Sequence, residues 1–176
     1  MPLVAQGRRS ELLEKAYAYV RASGISEMSL RPLAAAIGSS PRVLLFLFES
    51  KDGLIRALLA RAREDELSAL RGTLPQGAGA AGWAVWEWLA DPGNASLLRL
   101  WVEAYARSLG ATDGPWAGFA AETVADWLDV LARADPESTP AHRTAVLAVL
   151  RGALLDVLAT GDVERVTAGV RHALPA

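Results

Sequence analysis

The sequence predicts an all-α protein with an N-terminal helix-turn-helix domain and a C-terminal helical domain. Within residues 29–51, apolar residues recur at helical spacing on both sides of a glycine turn. Beyond residue 72, further segments with helical spacing are separated by breaks that contain glycine or proline. A linker is predicted between Gly72 and Gly82, and later helices are predicted to start at Pro115, Thr139-Pro140 and Gly161-Asp162. We therefore expect a helix-turn-helix domain over residues 1–52, a connecting helix over 53–71 and a second helical domain over 72–176.

The helix-turn-helix begins at Ser29, because serine is a favoured helix N-cap. Its first helix ends at Gly38, since glycine adopts a positive φ without strain. Ser40 and Pro41 then open the second helix as its N-cap and first residue, where a missing N–H costs nothing. Two short helices joined this tightly present the second one to the major groove of DNA. The segment therefore predicts a double-stranded DNA partner.

The helices that flank this motif are predicted from their capping residues. The first runs over about residues 10–21 and stops at Ser23-Gly24, whereas the fourth begins at the N-cap Ser50 and reaches about Arg71. The second half of the fourth helix alternates basic and acidic residues, which is typical of a solvated face. We expect no functional role for those charges.

The segment from about Arg8 to Leu58 resembles the N-terminal domain of the TetR family of transcriptional regulators. The pattern of that family is S-x-R-x-L-A-x-x-x-G, a short helix that ends in an aromatic residue, and S-K-[DE]-x-L. Residues 29–38, Phe48 and residues 50–54 match this pattern in order and spacing. The resemblance implies a one-component regulator, a repressor in its usual form, that binds a palindromic operator as a homodimer and is released by a small ligand.

The second helix of the motif departs from the family pattern. The family commonly ends this helix with L-Y-x-H-F, whereas residues 44–48 read Leu-Leu-Phe-Leu-Phe. Leu45 and Leu47 therefore stand where a hydroxyl and an imidazole usually meet phosphate. Either these leucines pack inward, or the DNA-facing surface is unusually apolar, or other basic residues hold the phosphates. The alternative function is an all-α small-molecule-binding or interaction protein with a degenerate helix-turn-helix and no specific operator.

Candidate DNA contacts follow from the geometry of the motif, in which the start of the second helix meets base edges and the first helix straddles the backbone. Arg42 can form a bidentate contact with guanine, and a phosphate contact is the alternative. Arg31 stands where the family often carries a DNA-contacting arginine, and Lys51 lies at a helix start that can hold a phosphate. The candidate set is Arg31, Ser39, Ser40, Pro41, Arg42, Val43, Leu45, Phe46 and Lys51.

Charge is divided unevenly along the chain, whose net charge is −2. Residues 1–71 hold 11 basic and 8 acidic side chains, whereas residues 72–176 hold 7 basic and 12 acidic ones. A basic N-terminal part suits a protein that meets phosphate at one end only. Arg8 and Arg9 precede the first predicted helix, so they form either a flexible arm near the DNA or an ordinary basic terminus.

Composition favours a cytoplasmic protein. The chain contains no cysteine, which excludes a disulfide framework and thiolate chemistry. Charged residues interrupt every apolar run before the eighteen or so residues that a membrane span needs, and the N-terminus lacks the order of a signal peptide. We therefore expect a cytoplasmic location and no membrane partner.

All six tryptophans lie between residues 83 and 127. Aromatic residues at helical spacing usually form a packed core, and the alternative is a cavity for a small apolar or aromatic ligand. The family resemblance favours the cavity, because it implies a ligand-binding C-terminal domain. The candidate pocket residues are Trp83, Trp86, Trp101, Tyr105, Trp116, Phe119, Thr123 and Trp127.

The last two predicted helices carry apolar residues on almost every face. Between residues 145 and 159, polar side chains occur only at Arg151 and Asp156. A helix that is apolar all round must be covered on both sides, so we expect a homodimer held by a four-helix bundle with two helices from each subunit. The candidate dimerisation residues are Val146, Val149, Leu150, Leu154, Val157, Val166 and Val170.

Catalysis is the remaining class of function to consider. His142 and His172 show no metal-ligand spacing, and the sequence contains no nucleophile elbow, phosphate-binding loop or dinucleotide motif. The carboxylates are scattered along the chain. We therefore predict no catalytic residues, no metal site and no cofactor.

Overall fold

The computed structural model describes residues 3–25, 28–73 and 78–174, and the regular elements of this described part are all helical. The all-α prediction is therefore confirmed. A 3-10 turn over Pro92–Asn94 precedes the sixth α-helix. The α-helices are α1 (Leu3–Ser23), α2 (Leu30–Ala36), α3 (Pro41–Phe48), α4 (Lys51–Thr73), α5 (Ala78–Ala90), α6 (Ala95–Leu109), α7 (Phe119–Ala134), α8 (Pro140–Thr160) and α9 (Val163–Ala173).

The chain forms two compact units. Unit 1 holds Met1–Asp65 and Arg99–Ala120, and unit 2 holds Glu66–Leu98 and Ala121–Ala176. Helices α4, α6 and α7 each contribute residues to both units. The predicted domain boundaries follow the order of the chain, whereas the compact units place the second half of α6 with the N-terminal helices.

The core of unit 1 is built on α1, α2 and α3, which contact one another. Leu12 and Val20 of α1, Leu33 of α2 and Leu44 of α3 are almost completely buried. In α1 the buried residues recur every four positions, which is the spacing of an amphipathic helix. Full burial of each large side chain contributes about 1.5–3 kcal/mol, so this small core holds the two short helices in place.

Polar contacts tie α1 to the first half of α4. The Tyr17 hydroxyl donates to Asp65 Oδ2 over 2.9 Å, and Arg61 forms ion pairs with Glu14 over 2.7 Å and with Asp65 over 3.3 Å. The Arg61 guanidinium carbon also lies 5.0 Å from the centroid of the Tyr17 ring. Burial and the Asp65 carboxylate raise the pKa of Tyr17 well above its usual value, so the phenol stays protonated and keeps donating.

In unit 2, α8 and α9 form a helical hairpin whose ends are capped by side chains. Thr139 accepts a backbone N–H three residues ahead over 3.2 Å, and Asp162 does the same for α9 over 3.1 Å. Gly161 joins the two helices with a φ of +72°, a left-handed conformation that glycine adopts without strain. The predicted starts of these two helices at Thr139-Pro140 and Gly161-Asp162 are confirmed.

Helix α5 packs against α8 and α9 at a point where the side chain is small. A Cβ built on Gly82 would lie 3.3 Å from Val146 Cγ1 and 3.4 Å from Leu174 Cδ1. Val85 and Leu150 are fully buried in the same unit. Glycine at position 82 therefore allows the close packing of these helices.

Two helix starts differ from the prediction. Helix α1 begins at Leu3 rather than near residue 10, and α7 begins at Phe119 rather than at Pro115. Between α6 and α7 the chain turns, with φ values of +76° at Gly114 and +83° at Gly118, so proline cannot start a continuous helix there. Residues 74–77 of the predicted linker between Gly72 and Gly82 lie outside the described residues.

Within the described part of the chain, no single helix is both long enough and apolar enough to span a membrane. Helices α2 and α3 taken as one segment would be long and apolar enough, although the segment is bent by 101° between them. The apolar residues of this pair include Leu33, Leu44 and Phe48, which are buried in the core of unit 1.

Candidate nucleic-acid interface and ligand site

The turn between α2 and α3 is held by backbone geometry and by one cap. Gly38 has a φ of +66°, and the Ser39 N–H donates to the Ala34 carbonyl over 2.8 Å. The Ser40 hydroxyl accepts the N–H of Val43 over 3.2 Å at the start of α3. Ser29 occupies the N-cap position of α2 but makes no capping hydrogen bond with its side chain. The helix-turn-helix is confirmed.

Helix α3 has a buried face and an exposed face. Leu44, Leu47 and Phe48 are buried, and Leu47 is only 7% exposed. On the other face, Leu45 is 41% exposed and Phe46 is 79% exposed. The two leucines that replace polar family residues therefore behave differently, because Leu47 packs inward and Leu45 leaves the DNA-facing surface apolar.

The remaining DNA-contact candidates are accessible. Arg31 on α2, Arg42 on α3 and Lys51 at the start of α4 are all exposed. Ser39, Ser40 and Pro41 are half-buried at the start of α3. The structure thus places the nine candidates on α2, in the turn that follows it, on α3 and at the first residue of α4, all within unit 1.

The junction of α3 and α4 contains two features that sequence reasoning missed. Glu49 has a φ of +68°, which is unusual for a residue other than glycine. A Cβ built on Gly53 would collide with the Phe48 carbonyl oxygen. The Ser50 hydroxyl accepts the Gly53 N–H over 2.9 Å and so caps α4 as predicted. Glycine at position 53 therefore permits the first turn of α4 to follow α3 directly.

Arg8 and Arg9 belong to α1, so the expectation of a flexible arm is wrong. Arg8 pairs with Glu11 over 2.7 Å on the surface of the helix. The Arg9 guanidinium carbon lies 4.8 Å from the centroid of the Phe48 ring, a cation–π contact with the last residue of α3. Arg9 therefore helps to hold the end of α3 instead of reaching freely into solution.

The aromatic candidates of unit 1 lie on α6 and before or at the start of α7. The rings of Trp101 and Tyr105 stack with centroids 4.9 Å apart, as their spacing of one helical turn allows. Trp116 is half-buried with the Arg107 guanidinium carbon 5.4 Å from its ring centroid, and Phe119 is buried. These four residues supply flat apolar surface with one charged neighbour.

The aromatic candidates of unit 2 use their polar atoms in hydrogen bonds. The indole N–H groups of Trp83, Trp86 and Trp127 donate to Glu87, Thr167 and Glu66 over 2.8, 3.1 and 3.0 Å. Thr123 is completely buried one turn before Trp127. The predicted pocket set is thus divided equally, with four members in each compact unit.

Glu66 is a buried acidic residue whose burial the sequence did not lead us to expect. Its charge was interpreted as part of a solvated face, whereas the structure leaves it only 2% exposed. The same helix buries Leu59, Ala62 and Leu70, which are three or four residues apart on the line that includes position 66. The helical period was therefore the signal that could have identified it.

Glu103 is a second carboxylate with a defined role. Its Oε2 accepts the backbone N–H of Ile25 over 2.9 Å, in the loop that follows α1. Ile25 is only 1% exposed. Glu103 therefore fixes the entry to the helix-turn-helix from the same helix that carries the stacked Trp101 and Tyr105.

Among the described residues, no group of three or more histidine and acidic side chains is placed to hold a metal ion. A small surface cleft in unit 2 is lined by Leu131, His142, Arg143 and Val146 with neighbouring residues. The Arg143 guanidinium Nε donates to Ser138 Oγ over 2.8 Å. The polar group at this cleft is thus already engaged in closing the turn before α8.

Solved structures with the same fold cover nearly the whole chain. The multidrug binding protein EbrR, in its complex with imidazole, gives a TM-score of 0.74 at 25% identity over 100% of this chain and 95% of the EbrR chain. A TetR-family member from Streptomyces coelicolor A3 gives 0.69 at 26% identity over 96% and 99% of the two chains. A protein from Rhodococcus sp. assigned to that family gives 0.73 at 19% identity over 96% and 97%. No family profile and no curated protein matches the sequence.

The chain therefore has the fold of solved TetR-family regulators. Its helix-turn-helix, its all-helical remainder and the extent of the structural likeness agree on this fold. EbrR has also been solved in complexes with ethidium, proflavin and malachite green, which are aromatic dyes.

The dimerisation candidates lie on α8 and α9. Val149 and Val157 are half-buried, and the other five are buried within unit 2: Val146, Leu150, Leu154, Val166 and Val170. The solvent-facing side of α8 presents Ala148, Gly152, Leu155 and Ala159. None of the described residues lies within 4 Å of a Cβ built on Gly152. This side of α8 is therefore apolar, shallow and open.

Proposed function

We propose that this chain is a ligand-responsive cytoplasmic transcriptional regulator, a repressor, that binds a near-palindromic operator as a homodimer. The observation that carries the proposal is the exposed start of α3, which a confirmed helix-turn-helix holds out from the core of unit 1. The whole-chain likeness to TetR-family structures supports the same function. In a two-fold dimer the two copies of α3 would meet successive major grooves, about 34 Å apart or a multiple of this distance.

The proposed DNA contacts are of two kinds, contacts with bases and contacts with phosphates. Arg42 is the base-reading residue, since its guanidinium can bond both acceptors of a guanine. Lys51 and Arg31 hold phosphates on either side of α3, with backbone N–H groups at the start of α4 beside Lys51. The Ser40 hydroxyl accepts the Val43 N–H and Ser39 Oγ is buried in the turn, so the two serines position the helix start that carries Arg42.

The ligand is a small aromatic molecule, and a positive charge on it would suit the site. Within unit 2, Trp127 offers an aromatic ring, and its indole N–H donates to the buried carboxyl group of Glu66. Aromatic rings and a carboxylate in a site of low dielectric attract an aromatic cation more strongly than a neutral molecule. The EbrR complexes with ethidium and proflavin support this ligand class.

The homodimer forms through the outer side of α8 together with α9. Leu155 is 52% exposed and lies between small residues on this side. The predicted valines and leucines that are buried inside unit 2 position α8 and α9, and the outer residues make the contact with the second copy. A shallow apolar helix face of this kind fits the four-helix bundle that two such hairpins form.

Regulation requires that the ligand prefer one of two conformations of the dimer. Ligand binding favours the conformation in which the two copies of α3 no longer match the spacing of the half-sites. The DNA is then released by the difference between the ligand affinities of the two conformations, and by no more than that difference.

The experiment that tests the proposal is selection of genomic DNA fragments by the purified full chain, followed by titration of the best fragment against salt. A short near-palindrome bound at nanomolar strength, with affinity that falls steeply as salt rises, is the expected result. Addition of ethidium or proflavin should release this fragment. Recovery of random, weakly bound fragments would overturn operator binding and favour the degenerate helix-turn-helix as the correct alternative.

A further inference from the structure

The exposed face of α3 offers very little hydrogen bonding. Within Pro41–Phe48, the residues with exposed side chains are Arg42, Val43, Leu45 and Phe46. Arg42 is the one member of this helix whose side chain can donate or accept a hydrogen bond. Sequence readout by this face must therefore rest largely on apolar contact.

Phe46 lies near the centre of this face. Counting 3.6 residues per turn, Arg42 and Phe46 are stacked one turn apart, and Val43 and Leu45 lie to the two sides of that line. We name Val43, Leu45 and Phe46 the apolar triad. Each is more than a third exposed in the free chain, so the triad becomes buried only when a partner covers it.

The surroundings of the apolar triad are basic. Arg31, Arg42, Lys51 and Arg56 are exposed on α2, α3 and the first turns of α4, against the acidic side chains Glu49 and Asp52. An apolar patch among mostly basic side chains fits a partner that carries negative charge and presents an apolar group at the point of contact. The major groove of DNA has this combination, because thymine presents a C5-methyl group between two rows of phosphates.

On the basis of the proposed function, we propose that the apolar triad reads the methyl groups of thymines, so that each operator half-site carries clustered thymines opposite Val43, Leu45 and Phe46. Arg42 supplies the polar contact at the edge of this cluster. Specificity then depends on shape and methyl position more than on hydrogen bonds, and it persists at salt concentrations that weaken the phosphate contacts.

The test replaces thymine by uracil, which removes only the methyl group and leaves base pairing and the hydrogen-bonding edge unchanged. Two random-sequence duplex libraries, one made with thymine and one with uracil, are selected with the full chain. The best thymine sequence is then resynthesised with single thymine-to-uracil changes. Each contacted methyl that is removed should weaken binding about fourfold, which is the effect of losing one buried CH₂-sized group.

Three variants assign the effect to the apolar triad. Phe46→Ala, at an exposed position, should fold normally and lose only the thymine preference at the bases that Phe46 contacts, about fourfold for each methyl group, while Val43 and Leu45 keep the rest. Leu109→Ala removes an equally exposed apolar side chain from α6 and should keep the full preference for thymine. Arg42→Ala should lower the affinity for both versions and leave their ratio unchanged.

The outcomes separate this inference from the proposed function. Selection of the same sequence with equal affinity from both libraries would overturn thymine readout and leave operator binding standing. Failure to select any sequence from either library would overturn the proposed function itself. A Phe46→Ala variant that retains the full thymine preference, or that changes only the mass of the protein in solution, would assign the exposed ring to a protein contact and overturn the inference.

Discussion

Two helices of this protein, α3 and α8, expose apolar side chains, but their surfaces differ in shape and charge. On α3 the large ring of Phe46 projects from a basic surrounding. Over residues 148–159 of α8 the exposed residues are alanine and glycine, apart from the large side chain of Leu155. A projecting ring suits the bottom of a groove, whereas a shallow surface suits another helix at close range. The two faces therefore suit the two different partners proposed for them, DNA for α3 and a second copy of the chain for α8.

The largest effect that separates the two surfaces is expected from Leu155→Arg. A charged side chain in the middle of the α8 face should prevent self-association and so convert the dimer to a monomer, measured by sedimentation velocity. A monomer has only one helix-turn-helix. Its operator affinity should be lower by about 10²–10⁴-fold, because the two half-sites are no longer bound together.

Leu109→Arg is the matched control for this prediction, since Leu109 is an exposed leucine on α6. It should leave both the mass and the operator affinity unchanged. A Leu155→Arg variant that remains dimeric would place the self-association surface elsewhere on the chain.

The second effect concerns the polar member of the α3 face. Arg42→Ala should weaken operator binding by about 1–3 kcal/mol, measured by fluorescence anisotropy at several salt concentrations. A relaxed sequence preference would identify a base contact, and a lower salt dependence by about one charge would identify a phosphate contact. Arg99→Ala, which removes an exposed arginine from α6, should change neither quantity. An unchanged affinity in Arg42→Ala would remove this residue from the interface.

A third, smaller effect is expected at the proposed ligand site, which lies on neither of the two surfaces. Glu66→Gln keeps an acceptor for the Trp127 indole N–H but replaces the buried carboxyl group with a neutral amide. Affinity for ethidium or proflavin, measured by fluorescence titration, should fall about tenfold, which corresponds to about 1.4 kcal/mol. Glu87→Gln is the control, because Glu87 is exposed and also accepts an indole N–H. Equal losses in the two variants would show that the charge of Glu66 has no special role.

The smallest effect is expected at the surface of the α8–α9 hairpin. The Arg165 guanidinium, 2.6 Å from Asp156 Oδ1, lowers the pKa of that carboxyl below its ordinary value of 3.8. The ion pair therefore stabilises the folded state at pH values above the ordinary pKa of the carboxyl. This stabilisation is lost as the pH falls through the lowered pKa. Arg165→Gln should reduce the urea midpoint slightly at pH 7 and not at pH 2. An equal reduction at both pH values would contradict an electrostatic origin.

The helix-turn-helix could be predicted from the sequence because its determinants are local. Gly38, Ser40 and Pro41 fix the turn and the start of α3 through backbone conformation and capping, which depend on the nearest residues. The inward position of Leu47 also follows from helical period once Leu44 and Phe48 are known to be buried. Only the family pattern, which places a polar residue there, suggested another orientation.

The surroundings of Glu66 and the tryptophans could not be predicted in the same way. Glu66 accepts its hydrogen bond from Trp127, 61 residues away in the sequence, and the local alternation of charge gave no indication of this contact. Likewise, the clustering of aromatic residues between 83 and 127 did not show that four belong to each compact unit. Contacts of this kind depend on tertiary packing, to which local patterns are insensitive.

The two faces of α3 have a consequence for how operators of related regulators can diverge. Leu44, Leu47 and Phe48 hold the helix in the core, and the apolar triad on the other face contributes little to that core. Substitutions at such exposed positions usually change folding stability by about 0.5 kcal/mol or less. Binding preference can therefore drift, one exposed side chain at a time, while the scaffold is inherited intact.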